Sequence, residues 1–126
     1  MKKKRILVID DDVNILRGFK NILEKEGYIV ETADTGKDAL KKIENKKFNV
    51  YLVDFRLPDM DGTELLLKMA HDSQTVKIIV TGFSSDEVGK KAADYGADDF
   101  LVKPVKPEEL IATVRERLGA RTEDET

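Results

Sequence analysis

Ile6-Leu7-Val8-Ile9-Asp10-Asp11-Asp12 is a run of four apolar residues that stops at three consecutive carboxylates. A short unbroken run of Ile, Leu and Val suits a strand buried on both faces, as in a parallel sheet covered by helices. The same kind of run recurs at Tyr28–Val30, Val50–Val53, Ile78–Val80 and Phe100–Val102. Between the runs the hydrophobic period lengthens to that of a helix. Ile15, Leu16, Phe19, Ile22 and Leu23 make one helical stripe that closes at Gly27. Ala39, Leu40 and Ile43 make a second stripe, and Leu65, Leu66 and Met69 a third. Val88, Ala92 and Tyr95 make a fourth, closed by Gly96, and Leu110, Ile111, Val114 and Leu118 a fifth, with Pro107 in its first turn.

Strand and helix alternate five times, which predicts an α/β domain with a five-stranded parallel sheet and helices on both faces. The domain is placed at residues 1–119, and the polar residues 120–126 are expected to fray as a tail. The chain has 126 residues, 40% of them hydrophobic, which is enough for one domain with a real core. It has no cysteine, so neither disulfides nor thiolate metal ligands are available. Charged residues make up 37% with both signs interspersed, and the net charge is -3, which argues against direct nucleic-acid binding. The basic opening Met1-Lys2-Lys3-Lys4-Arg5 leads into too short an apolar stretch for a signal peptide or a membrane span, so a cytoplasmic location is expected.

In open α/β sheets, ligands bind beyond the carboxyl ends of the strands, where the strand order reverses. The residues that follow each run therefore carry the chemistry. They are Asp10, Asp11 and Asp12 after the first, Asp54 after the third, Thr81 and Gly82 after the fourth, and Lys103 and Pro104 after the fifth. For Asp10 and Asp11 to share a site with Asp54, the first and third strands must be neighbours, which gives the order 2-1-3-4-5. Asp12 reads as the N-cap of the first helix. Singly, Asp10 could serve a turn, Thr81 could end a strand and Lys103 could be a surface lysine. A coincidence at four of the five strand ends is the weaker explanation.

The grouping has a chemical reason. Clustered carboxylates repel, and a hard cation relieves them. Mg²⁺, or Mn²⁺ in its place, takes oxygen ligands from one or two carboxylates and keeps waters and a substrate phosphate. An ionised aspartate can attack phosphorus to give an acyl phosphate, while the metal and a lysine neutralise the transferring oxygens. Lys103 supplies that second positive charge, and the Thr81 hydroxyl a hydrogen bond. The metal-free cluster should be self-repelling, so Asp10→Asn is expected to raise the melting temperature in EDTA.

Four stretches in order, Ile6–Asp12, Val53-Asp54-Phe55-Arg56-Leu57-Pro58-Asp59-Met60-Asp61-Gly62, Val80-Thr81-Gly82 and Phe100-Leu101-Val102-Lys103-Pro104, resemble the receiver domain of bacterial response regulators. The resemblance covers residues 4 to 119 and implies a flavodoxin-like fold of receiver type. It implies that Asp54 accepts a phosphoryl group from the phosphohistidine of a sensor histidine kinase or a phosphotransfer protein. Asp11 would hold Mg²⁺ directly, Asp10 largely through water, and Asp54 and the backbone carbonyl of Arg56 would complete the protein ligands. Thr81 and Lys103 would read out the phosphate. Lys103–Pro104 corresponds to a cis bond in the family, Pro58 and Gly62 shape the loop after the acceptor, and Gly82 leaves room for the phosphoryl group. Phe100 stands where many members have tyrosine, and its ring can still swing between outward and inward rotamers. Arg56 and Phe83 occupy variable positions that flank the approach of water, so both are expected to tune dephosphorylation. His71, the one histidine, reads as a surface residue.

The implied function is a phosphorylation-controlled switch rather than a turnover enzyme, acting through the fourth helical segment, the fifth strand and the fifth helical segment on a downstream partner or output domain. A haloacid-dehalogenase-type phosphohydrolase would need a second aspartate two residues after the first, where this chain has Arg56. A pseudo-receiver would not need the intact set of Asp10, Asp11, Asp54, Thr81 and Lys103. A flavin carrier would want a Ser/Thr/Gly-rich phosphate loop after the first strand, where this chain has aspartates. The kinase, the output and a phosphorylation-dependent dimer are left open by the sequence.

Overall fold

A computed structural model of the chain describes residues 3–69, 74–82, 90 and 93–125. Its elements in chain order are β1 (Arg5–Ile9), α1 (Val13–Lys25), β2 (Ile29–Ala33), α2 (Gly36–Asn45), β3 (Val50–Asp54), α3 (Gly62–Lys68), β4 (Val76–Thr81), β5 (Asp99–Val102) and α4 (Pro107–Glu125). The five strands form one sheet in the order β2-β1-β3-β4-β5, and every pairing is parallel. The switch point between β1 and β3 lies where the shared-site argument requires it.

Alternation along the central strands divides the core. Ile6 and Val8 of β1, with Val50 and Leu52 of β3, face a cluster that holds Leu16, Phe19 and Leu23 of α1 and Leu110, Val114 and Leu118 of α4. Leu7, Ile9, Tyr51 and Val53 face the opposite cluster, with Ala39 of α2 and Leu65 and Leu66 of α3. Helices therefore cover both faces, and the middle strands can be apolar throughout.

The outer strands differ from the sequence expectation of burial on both faces. β2 and β5 are edges, only partly buried. β2 begins one residue after the start of the apolar run and continues through Glu31 and Thr32 to Ala33, because pairing with β1 rather than hydrophobicity sets its length. β4, by contrast, starts earlier than its apolar run, at Val76, and takes in the buried Lys77, whose ammonium donates to the Thr75 carbonyl at 3.2 Å. Lysines cover the open side of β2: Lys20 of α1 donates to the Val30 carbonyl at 2.9 Å and Lys42 of α2 donates to the Thr32 carbonyl. An edge whose acceptors are already occupied is a poor template for a further strand.

Asp12 caps α1 as expected, its side chain accepting from the Asn14 N–H at 2.9 Å, and Gly27 makes the left-handed turn that follows, with φ of 95°. The fourth helical stripe falls largely outside the described residues, as do Val88, Ala92, His71 and Phe83. Tyr95 packs partly buried against the α2/α3 cluster, and Gly96 has φ of 97°. α4 continues through Glu125, and no Gly or Pro after Gly119 interrupts it. No helix among the described residues is long and apolar enough to cross a membrane.

Gly62 is a glycine for steric reasons. A Cβ there would lie 2.9 Å from Phe55 Cα and 3.1 Å from the carbonyl oxygens of Asp54 and Phe55. Backbone atoms cannot swing aside, so Gly62→Ala is expected to destabilise the domain by about 1–3 kcal/mol, measured by urea unfolding. Gly18→Ala is the control, because a Cβ in mid-α1 meets nothing within 4 Å. That change should stabilise by roughly 0.5–1 kcal/mol through helix propensity alone.

Candidate functional site

Each strand of the β1-β3-β4-β5 block delivers one polar residue to the same edge of the sheet. Asp10 follows β1 directly, its N–H held by the Ala33 carbonyl of β2 at 3.1 Å. Asp54 is the last residue of β3, Thr81 the last of β4, and Lys103 the first after β5. Asp10 is 2% exposed, Asp54 8% and Thr81 1%, whereas Asp11 is exposed. One carboxylate oxygen each from Asp10, Asp11 and Asp54 lies within 4.8 Å of the others. The shared site expected from the sequence is thus assembled.

Lys103 enters the cluster from the β5 side. Its ammonium is 2.8 Å from Asp10 Oδ2 and 3.7 Å from Asp54 Oδ2. Its backbone N–H donates to the Thr81 carbonyl at 2.7 Å, so the lysine is tied to β4 as well as β5. The Lys103–Pro104 bond is cis, as the resemblance implies. Asp10 Oδ1 accepts from the Asp12 N–H at 2.9 Å, and Asp54 Oδ1 from the Arg56 N–H at 3.4 Å. Arg56 itself is exposed and forms an antiparallel bridge with Asp61. Phe100, in β5 opposite Ile79, is 36% exposed. Phe83 lies outside the described residues.

The electrostatics are uneven across the three carboxylates. Burial, then the charge of Asp10, push the Asp54 carboxyl up from 3.8 to about 6, against the opposing pull of Lys103 and the Arg56 N–H. Burial disfavours the Lys103 ammonium, but its hydrogen bond and ion pair with Asp10, helped by Asp54 and Asp11, hold its pKa above the ordinary lysine value. Lys103 therefore settles Asp10 and leaves Asp54 as the strained member. Asp10→Asn would remove a charge that pushes on Asp54 and would also strip Lys103 of its nearest partner.

An oxygen-only donor set with two buried carboxylates and one exposed one suits a hard divalent cation that keeps part of its water shell. The residues fit Mg²⁺: burial first and then the charge of Asp10 raise the proton affinity of Asp54, and a cation beside it would favour the charged form. Asp10 and Asp11 would hold the ion together with Asp54.

Fold and site together define a flavodoxin-like α/β domain with an acidic pocket and an apposed lysine at the β1/β3 switch point. Residues 6–115 match the family model of the response regulator receiver domain, and the chain belongs to that family. It is 38% identical over 112 residues to the response regulator ArlR of Staphylococcus aureus, and 36% identical over 110 residues to ArlR of Staphylococcus epidermidis. These alignments cover 88% and 87% of this chain but 51% and 50% of the relatives, so the chain spans about half their length. Among solved structures, a CheY-like receiver domain protein from Methanospirillum hungatei superposes with a TM-score of 0.93 at 45% identity, covering 98% of this chain and 99% of the other. The BeF3-activated DrrB receiver domain gives 0.87 at 35% identity, over 94% of this chain and 99% of that one.

The sequence reading gave no task to Asp59. Its carboxylate accepts from the Gly36 and Lys37 N–H groups at the start of α2, each at 2.9 Å. Thr35 and Asp38 mark that helix start in the sequence, but nothing local signals a cap from 23 residues away.

The raised Asp54 value fixes the sign of a pH effect. The folded carboxyl titrates near 6 and the ordinary value is 3.8, so the metal-free domain loses stability as pH rises through that window. Asp54→Asn should raise the melting temperature in EDTA at pH 7.5, by roughly 1–3 kcal/mol of stability. The gain should shrink towards zero at pH 4.5, where Asp54 is already protonated in the folded protein. Paired thermal melts at the two pH values check this, and an equal gain at both would show that charge is not the cause.

Proposed function

We propose that this domain is a phosphorylation-activated switch in which Asp54 accepts a phosphoryl group from the phosphohistidine of a sensor histidine kinase or a phosphotransfer protein. The observation that carries the reading is the convergence of Asp10, Asp11 and Asp54 within 4.8 Å, with Lys103 against two of them. In the forward step an ionised Asp54 oxygen attacks phosphorus, a P–O bond forms, the P–N bond breaks, and the electron pair leaves with the imidazole nitrogen. Mg²⁺, when bound, supplies the charge neutralisation on the transferring oxygens that Lys103 alone does not complete. Asp10, Asp11 and Asp54 would supply its ligands, and the Arg56 carbonyl a further one. Lys103 pairs with the new phosphoryl oxygens, and the Thr81 hydroxyl donates to one of them.

The product carries about two negative charges where one stood. It draws Lys103 and Thr81 towards Asp54 and shifts the population to the form in which the surface near β5 and α4, with Phe100 on it, meets a downstream partner or output domain. The domain promotes its own phosphorylation and dephosphorylation without being a turnover enzyme. Family membership and the name of the ArlR relatives support a place in two-component signalling, and the BeF3-activated relative supports activation of a domain of this fold. We assign the receiver to residues 1–119 and a cytoplasmic location.

Acetyl phosphate with Mg²⁺ should add one phosphoryl group, seen by intact mass, because the site positions an acceptor and needs no protein base. The addition should vanish in EDTA and in Asp54→Asn; a modified Asp54→Asn protein would refute the acceptor. The lifetime of the phosphate should be long. Arg56 can pair with phosphoryl oxygens, and Phe83 adds bulk two residues after Thr81. Loss of phosphate should therefore be faster in the double variant Arg56→Asn/Phe83→Glu than in the parent. A double variant that holds its phosphate as long as the parent ends that idea.

A further inference from the structure

The segment from Phe55 to Asp61 joins the acceptor strand to α3 and closes on itself. The Leu57 N–H donates to the Met60 carbonyl at 3.1 Å, Arg56 bridges Asp61, and the Gly62 N–H donates to the Phe55 carbonyl. These contacts tie the two ends of the loop together. At one end the Arg56 N–H faces Asp54 Oδ1 at 3.4 Å. That is beyond the usual range of an N–H···O bond, so a displacement of a few tenths of an ångström decides whether it exists.

The other end is fastened to α2. A helix leaves its first four N–H groups without intrahelical partners. In α2 the Thr35 hydroxyl accepts from one of them, Asp38, at 3.0 Å, and the Thr35 carbonyl takes the first intrahelical bond, from Ala39 at 3.1 Å. Two more, on Gly36 and Lys37, are taken by the two oxygens of Asp59. Met60 lies beside them: a Cβ on Gly36 would come within 2.5 Å of its sulfur. Asp59 and Met60 are thus both seated on the first turn of α2.

We propose that Asp59 is a positioning residue for the metal and phosphoryl site, its carboxylate clamping the Phe55–Asp61 loop to the first turn of α2 so that the Arg56 backbone faces Asp54. The role rests on the reading of Asp54 as acceptor and Arg56 as a backbone ligand. A carboxylate at a helix N-terminus is favoured by the helix dipole. The Gly36 and Lys37 N–H groups hold the Asp59 carboxyl below its ordinary value, so it is charged at neutral pH. Asp59 is exposed, so substitution opens no cavity.

The test compares Asp59→Ala, Asp59→Asn and Leu40→Ala, the last a control that loosens α2 from within its apolar packing. Amide exchange at Gly36 and Lys37 and the Arg56 amide resonance are read in metal-free protein by NMR. The Mg²⁺ midpoint is read from the Asp11 and Asp54 amides. Asp59→Ala should speed exchange at both helix amides, shift the Arg56 resonance and raise the midpoint about tenfold, as groups that hold metal ligands in place do. Labelling by acetyl phosphate should slow at low Mg²⁺ and recover at saturation. Asp59→Asn, which keeps one acceptor oxygen, should restore most of the affinity. The role is overturned if Asp59→Ala keeps the parent midpoint, if Leu40→Ala raises it as much, or if Asn does no better than Ala. A parent protein that takes up neither Mg²⁺ nor phosphate overturns the reading of the site, and the role of Asp59 with it. Uptake by the parent with an unmoved Asp59→Ala midpoint sinks the clamp alone.

Discussion

Three carboxylate oxygens within 4.8 Å of one another, two of them on buried residues, form an arrangement that a folding chain would ordinarily avoid. At separations of this order two unit charges repel by roughly 3 kcal/mol at an effective dielectric near 20. That is a sizeable part of a small domain's stability of about 5–15 kcal/mol. The repulsion is tolerable only because the rest of the structure holds the groups firmly and sets a cation beside them. Parallel pairing of β1 with β3 brings Asp10 next to Asp54, and the β4–β5 pair brings Lys103 across to both. Two apolar layers fix the strands, so Asp10 and Asp54 stay buried beside each other while Asp11 keeps its contact with water.

Lys103 does not spread its charge evenly. It sits 0.9 Å closer to Asp10 than to Asp54, the difference between 2.8 and 3.7 Å. Asp10 is also served by the Asp12 N–H, at 2.9 Å, against 3.4 Å for the bond from Arg56 to Asp54. Asp54 is thus less closely held than Asp10, and burial, followed by the charge of Asp10, raises its proton affinity. For a proposed nucleophile that is a useful condition, because an ionised oxygen held at a cost has more to gain from bonding to phosphorus or facing a cation.

Much of this could be read in the chain itself. The middle strands announced themselves because burial on both faces leaves no room for polar residues, so Ile6–Ile9 and Val50–Val53 are unbroken. The polar residues at the strand ends were legible for the same reason, standing out against what preceded them. The edges were harder. β2 runs on through Glu31 and Thr32, and β5 is exposed at Phe100, because an edge strand takes its length from its neighbour's hydrogen bonds. Lys77 interrupts an apolar reading of β4 yet is buried, since its ammonium finds the Thr75 carbonyl across a turn. Long-range partnership is invisible to periodicity. The closer pairing of Lys103 with Asp10 than with Asp54, and that of Asp59 with a helix start 23 residues away, depend on where folding places the groups.

In the proposed cycle the same imbalance gives phosphorylation a mechanical consequence. A ligand or modification can shift a conformational equilibrium only by what it contributes differently to the two states. Here the difference is the pull on one ammonium. A second charge on Asp54 competes with Asp10 for Lys103 and pulls the lysine towards Asp54. Its N–H is bonded to the Thr81 carbonyl at 2.7 Å, so the ends of β4 and β5 move with it. Thr81 is drawn the same way through its own hydroxyl. Phe100, partly exposed three residues before Lys103, lies on the strand that is pulled. By contrast, the Asp10 side of the pocket, with its N–H on Ala33 of β2, is anchored to the other edge of the sheet. A charge added at the centre is then resisted on the β2 side and yielded to on the β5 side, which directs the change towards one surface of the domain.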